Sequence, residues 1–172
     1  GCATLQTDYS ILNRTAEAEI LAYCTAQDIG VIVRGPLAMG ILTGKFATLA
    51  DIPDERARTR HFSSERRPMT RHGGPGAEAA TAAAFNRIRA VCDSAGLPMT
   101  QIALAWLLAQ PGVTTVVAGA RSPEQITSNV RAAELELPDD VLRALTEATD
   151  PLKAELGANA DMWESEQNTR IR

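Results

Sequence analysis

Gly119-Ala120-Arg121-Ser122-Pro123-Glu124-Gln125 sets a glycine, a fixed cation and a helix start side by side. Those residue types suit phosphate binding. Gly119 lets the backbone turn sharply or come close to a ligand. Arg121 offers a planar donor fork that matches phosphate oxygens. Ser122 is placed as an N-cap, Pro123 as the first helical residue, and Gln125 as the partner that completes a capping box. The N–H groups opening such a helix have no intrahelical acceptor and carry the positive end of its dipole. The same residues also suit an ordinary strand-to-helix turn with a well-made cap and no ligand.

Other chemistries find little support. Cys2, Cys24 and Cys92 are odd in number and widely spaced, which fits reduced cytosolic thiols better than a disulfide set or a metal site. Cys24 and Cys92 read as buried structural residues. His61 and His72 both fall in a polar loop, and no metal constellation can be built from them. A formal net charge of −4 argues against a nucleic-acid binder. No apolar run is long enough to span a bilayer, and the first residues lack the basic and apolar regions of a secretory signal. These features predict a cytoplasmic protein. With 172 residues, 45% of them apolar, the chain can bury the core of one domain, and no linker or repeat divides it.

The elements that must position these residues alternate. Ala3 to Tyr9 is a weak strand candidate. Thr15 is placed to cap a helix over 16–27, with Ile20, Leu21 and Cys24 on one face and Gly30 ending it. Val31-Ile32-Val33 is a short buried strand. Residues 46–76 form a long polar loop rich in arginine, proline and glycine, with the character of a lid, a binding loop or a disordered segment. Glu78–Ala95 reads as an alanine-rich helix with Phe85, Ile88, Val91 and Cys92 inward, closed by Gly96. A helix over roughly 100–109, apolar on most sides, should be deeply buried. The β-branched run from Thr114 to Ala118 suits a parallel strand covered on both faces. A helix from Pro123 to about Ala132 and a last one from Leu137-Pro138-Asp139 to about Thr149 follow, and residues 150–172 read as irregular. Alternating strands and helices imply a parallel sheet with right-handed crossovers, an α/β fold.

Five segments in this order resemble the C-terminal half of an aldo-keto reductase: Gln6–Arg14 (QTDYSILNR), Gly30–Lys45 (GVIVRGPLAMGILTGK), Gln101–Gln110 (QIALAWLLAQ), Gly119–Asn129 (GARSPEQITSN) and the tail Gly157–Trp163 (GANADMW). The similarity covers nearly the whole chain. It implies a partial (β/α)8 TIM barrel, strands six to eight with their helices, whose active site lies at the carboxyl ends of the strands. It implies NADP(H), or less often NAD(H), and reversible hydride transfer to aldehydes and ketones. By similarity, Gln6 hydrogen-bonds the nicotinamide carboxamide, while Arg34, Gly35, Leu37, Gly40 and Lys45 line the nicotinamide and pyrophosphate. Many members carry a stacked aromatic residue where this chain has Arg34, which can stack by its guanidinium plane or pair with a phosphate. Gly119, Ala120, Arg121, Gln125 and Asn129 surround the adenosine end. Arg121 is the candidate for the 2′-phosphate, favouring NADP over NAD. Asn129 stands one turn beyond Gln125 on the same helix face. An arginine of the 46–76 loop, which holds Arg56, Arg58, Arg60, Arg66, Arg67 and Arg71, would close over the pyrophosphate.

The family's Asp, Tyr, Lys and His belong to its N-terminal half, and no segment here matches them. Tyr9 and Tyr23 are not candidates for the general acid. The resemblance therefore implies a cofactor-binding portion without turnover of its own, or a non-catalytic nicotinamide-binding module or regulatory subunit. Its partners would be a small carbonyl substrate and an N-terminal half-barrel, or a second copy, covering the open strand edges.

Overall fold

The structure, a computed structural model, describes residues 1–169. Strands Thr4–Asp8 (β1), Gly30–Arg34 (β2) and Val113–Val116 (β3) form one parallel sheet in the order β1-β2-β3. The helices are Ile20–Ala26 (α1), Glu78–Ala95 (α2), Met99–Leu108 (α3), Pro123–Ala133 (α4) and Asp139–Leu156 (α5). Parallel neighbours need long crossovers, and α1 and the α2–α3 pair supply them.

Alternation along the strands separates two faces. Leu5, Val31 and Val113 stand in register, as do Thr7, Val33 and Val116, and Val31 and Val33 are completely buried. Gln6, Ile32 and Thr115 share the opposite face, where Gln6 and Thr115 are exposed. A bulge between Val31 and Ile32 leaves Thr114 out of the pairing. Its hydroxyl repairs the ladder by accepting from the Val31 N–H at 3.1 Å. The expectation that 114–118 is covered on both faces is corrected: β3 is a sheet edge, Thr114 and Thr115 are exposed, and Val117 is 52% exposed.

The core fills the space between the sheet and its helices around Trp106, Phe85, Ile88, Ile102, Leu107 and Leu145. The α2 boundaries and its left-handed Gly96 match the sequence reading, and α3 is buried on most sides, as its composition requires. No single helix among the described residues is long and apolar enough to cross a membrane; α2 and α3 together have that length and composition, but meet at 98°.

Three elements differ from expectation. The helix expected over 16–27 is a short tight turn, Thr15–Glu17, followed by α1. Thr15 does not cap it, because its hydroxyl donates to Asn13 Oδ1 at 2.9 Å. Next, α5 continues seven residues beyond Thr149, through Pro151. Proline removes one hydrogen bond there, and burial of Leu152 and Leu156 outweighs that loss. Third, the 46–76 loop is packed into the core by Ile52, Ala57, His61 and Phe62. It is not a free lid. Arg60 donates to the carbonyls of Leu156, Asn159 and Asp161 at 2.8, 2.5 and 2.9 Å, Arg67 to Ile52 O and Asp54, and Arg66 pairs with Glu78.

A buried polar corner ties the connection after β1 to α5. Arg14 donates twice to Glu17, at 2.7 and 2.9 Å, and also to Thr146 O, Thr149 Oγ1 and Asp150 Oδ1. Glu17 accepts further bonds from Lys153 Nζ and the Tyr9 hydroxyl. Burial and then the Glu17 carboxylate hold the Tyr9 phenol far above its ordinary range, so it keeps its proton. Burial pushes the Cys92 thiol up to about 11, so it is an unreactive core residue. Cys24 is likewise buried and free.

Candidate functional site

The βα connections gather beyond the carboxyl ends of β2 and β3. After β2, Gly35 has φ +69°, and Ala38, Met39 and Gly40 all lie in the left-handed region. Such backbone persists only where its surroundings hold it. Here the holder is Arg56, which donates to Met39 O. A Cβ at Gly40 would displace the tip of that guanidinium from Met39 O, and the φ of +89° itself favours glycine at position 40.

After β3, Ser122 caps α4, its hydroxyl accepting from the Gln125 N–H at 3.4 Å, with Pro123 in the first turn. The capping box is only half made. The Gln125 side chain reaches one residue further back and accepts from the Arg121 N–H at 2.8 Å. Arg121's backbone is thereby fixed at the helix entrance, while its side chain is exposed and, among the described residues, without a carboxylate partner. Gly119 does not have a positive φ, and a Cβ there would meet nothing. Of the two uses open to Gly119, a sharp turn or a close approach to a ligand, the open space beside it suits the second.

These two connections and the start of α3 enclose a solvent-open groove of about 1440 Å³. Nine of the eleven residues singled out from the sequence line it: Gly35, Leu37, Gly40, Lys45, Gly119, Ala120, Arg121, Gln125 and Asn129. Among the described residues, three cations, Lys45, Arg56 and Arg121, line it, and no aspartate or glutamate does. Lys45 Nζ also stands 4.8 Å from the centre of the Phe46 ring. Sequence reasoning missed the hydroxyls of Thr43, Thr100 and Ser128 in the lining. The signal for Ser128 was available: it lies three residues after Gln125 and beside Asn129, on the groove side of α4.

Gln6 and Arg34 lie outside this groove. Gln6 is exposed on the open face of β1. Arg34 is the register partner of Asp8 and donates to its carboxylate at 2.5 Å. That ion pair, drawn across adjacent strand ends, turns Arg34 toward a second groove shared with the tail residue Trp163. Adjoining both openings, Tyr9, Leu12, Ile41, Met39 and Met162 bound a small apolar cavity of about 50 Å³. The histidines form no metal site: among the described residues no group of three or more His, Cys, Asp or Glu side chains could hold an ion. His61 is buried, its Nε2 donating to Leu12 O at 2.8 Å and its Nδ1 accepting from Thr59 Oγ1 at 3.0 Å.

Parallel strands with helices on one face and a groove beyond their carboxyl ends define the class, an α/β fold that carries its site on βα loops. The aldo/keto reductase family model matches residues 1–150, and the chain belongs to that family. It is 31% identical over 147 residues to an uncharacterised oxidoreductase, YrpG, of Bacillus subtilis (strain 168), covering 86% of this chain and 40% of that protein. It is 30% identical over 149 residues to an NADH-specific methylglyoxal reductase of Escherichia coli (strain K12), covering 85% and 42%. It is 28% identical over 164 residues to a probable voltage-gated potassium channel subunit beta of Oryza sativa subsp. japonica, covering 93% and 45%. The glycerol dehydrogenase of Gluconobacter oxydans shares the fold, with a TM-score of 0.63 at 24% identity over 85% of this chain and 42% of that one. The chain spans 40% to 45% of the length of these three curated relatives.

Proposed function

We propose that this chain is the C-terminal portion of an NADP(H)-dependent aldo-keto reductase, barrel strands six to eight, and that its groove holds the adenine dinucleotide. One observation carries this reading: three cations and no carboxylate line a single groove in a chain of net charge −4. A polyanion satisfies that arrangement. Arg121 takes the 2′-phosphate, which selects NADP(H) over NAD(H); Lys45 and Arg56 face the pyrophosphate, and Asn129 the adenine. Gln6, on the open sheet face, orients the carboxamide. A bound nicotinamide would supply the hydride. This chain binds and orients, and it does not match the family's proton-transfer residues, so the isolated chain has no appreciable turnover. Cytoplasmic location belongs to the same reading.

The sheet supports a need for a covering partner. β1 and β3 are both edges, and Val117, Ile126 and Val130 are more than half exposed. An N-terminal half-barrel or a second copy would bury them. Titration of NADPH fluorescence tests the binding reading, with NADPH expected to bind more tightly than NADH. A chain that is folded by circular dichroism and gives no NADPH signal overturns it. An NADPH-coupled assay on methylglyoxal is expected to stay at background, and robust turnover overturns the assignment of catalysis to another part. The likeness to a channel beta subunit supports a second reading, a regulatory module that binds the nucleotide without reducing a carbonyl.

A further inference from the structure

The second groove, of about 960 Å³, opens beyond the ends of β1 and β2. We propose that it binds the anionic group, a carboxylate or a phosphate, of the carbonyl substrate; the word substrate rests on the reductase reading above, the anion site does not. Arg34, Arg58 and Arg71 line it together with Asp8 and Asp161. The two carboxylates leave Arg58 and Arg71 uncompensated. Asp8 is held by Arg34 at 2.5 Å. Asp161 is engaged by the tail, its Oδ1 accepting from the Trp163 and Glu164 N–H groups at 3.0 and 3.3 Å and its Oδ2 from the Thr169 hydroxyl at 3.5 Å. Arg58 lies over the Trp163 ring, 5.1 Å from its centre, and its Nε is buried with no hydrogen-bond partner. Burial of that edge holds the Arg58 plane against the ring, and the remaining guanidinium N–H groups, on the groove side, are the ones an oxyanion would take.

The wall of this groove is preformed. Arg60 fixes the tail through three carbonyls, its own N–H donates to Met162 O at 2.8 Å, and Asn13 Nδ2 donates to Met162 Sδ at 2.6 Å. Trp163 is therefore seated before any ligand arrives, and Arg58 stacks on a fixed plane. Arg34 lines this groove and its neighbour Gly35 the first, so the two ligands meet at the end of β2. An uncharged carbonyl compound leaves two guanidinium groups without an acceptor, whereas a carboxylate or phosphate takes their N–H groups in pairs.

Trp163 reports on the site. Its fluorescence in this chain would be titrated with 4-acetylbenzoate against its methyl ester, and with dihydroxyacetone phosphate against dihydroxyacetone. The anionic member of at least one pair is expected to bind about tenfold more tightly than the neutral one, and Arg71→Gln or Arg58→Gln to remove about that factor. Trp163→Phe should abolish the signal. Which pair discriminates identifies carboxylate or phosphate. Arg71 is exposed, so its variant keeps the fold. Equal binding within both pairs, or discrimination that survives Arg71→Gln, overturns the site. NADPH binding is measured beside each titration. Its failure with anion discrimination intact counts against the reductase reading alone, and retained NADPH binding without discrimination counts against this site alone.

Discussion

Arg14 and Arg121 are the same side chain in opposite circumstances. Arg14 is 5% exposed and donates to Glu17, Asp150, Thr149 and a backbone carbonyl. Arg121 is exposed, and no carboxylate of the described residues meets it. The corner between β1 and α5 answers every cation from within the chain. The groove at the entrance of α4 gathers Lys45, Arg56 and Arg121 without one acidic side chain. The first arrangement holds the fold. The second needs its counter-charge from outside, and that separates structural cations from binding cations better than sequence position does.

The largest test of this contrast is Arg14→Ala. It removes the donor to three groups of α5 and one of the partners of Glu17, which keeps Lys153 and Tyr9, and should lower the unfolding free energy in urea by about 3 kcal/mol. A loss under about 1 kcal/mol, the value of an exposed pair, would erase the distinction. Acid should strain the buried side in a second way. Burial holds the His61 imidazole down to about 4, despite the acceptor at Leu12 O, which favours the charged form. The unfolded chain takes up the proton near 6.5 and the folded one does not. Stability from neutral His61 is thus complete above that value and is lost as pH falls from 6.5 toward 4, on the order of 3 kcal/mol. Urea midpoints across that window should fall, and His61→Gln should flatten the slope. On the binding side, Arg121→Gln should leave the melting temperature nearly unchanged and weaken NADPH by about tenfold or more, with a smaller effect on NADH. Unaltered NADPH affinity would place Arg121 among the ordinary solvated cations.

Much of this was legible from the residues. Period and caps wrote α2 and the start of α4 into the sequence, because Gly96, Ser122 and Pro123 act locally. The site was legible where one connection carries several groove residues, as from Gly119 to Asn129. Long-range choices were not. A Val/Thr run looks alike at a sheet edge and in its middle, so β3 read as covered. Ile52, Ala57 and Phe62 are spaced without period, so the segment that holds them read as a lid, a binding loop or a disordered segment. The last helix read as ending near Thr149, since nothing local announces that Leu152 and Leu156 will be buried. The Arg34–Asp8 pair was not legible, because the two lie 26 residues apart in sequence and are adjacent only in register.

Arg60 spans the distance between residues 60 and 156–161 with a single guanidinium. The segment from 156 to 161 is mechanically continuous with the one that carries Arg56 and Arg58. Trimming, tagging or cleaving near residue 160 would thus act as remote control over the mouths of both grooves, even though no residue of that segment lines the groove at the entrance of α4.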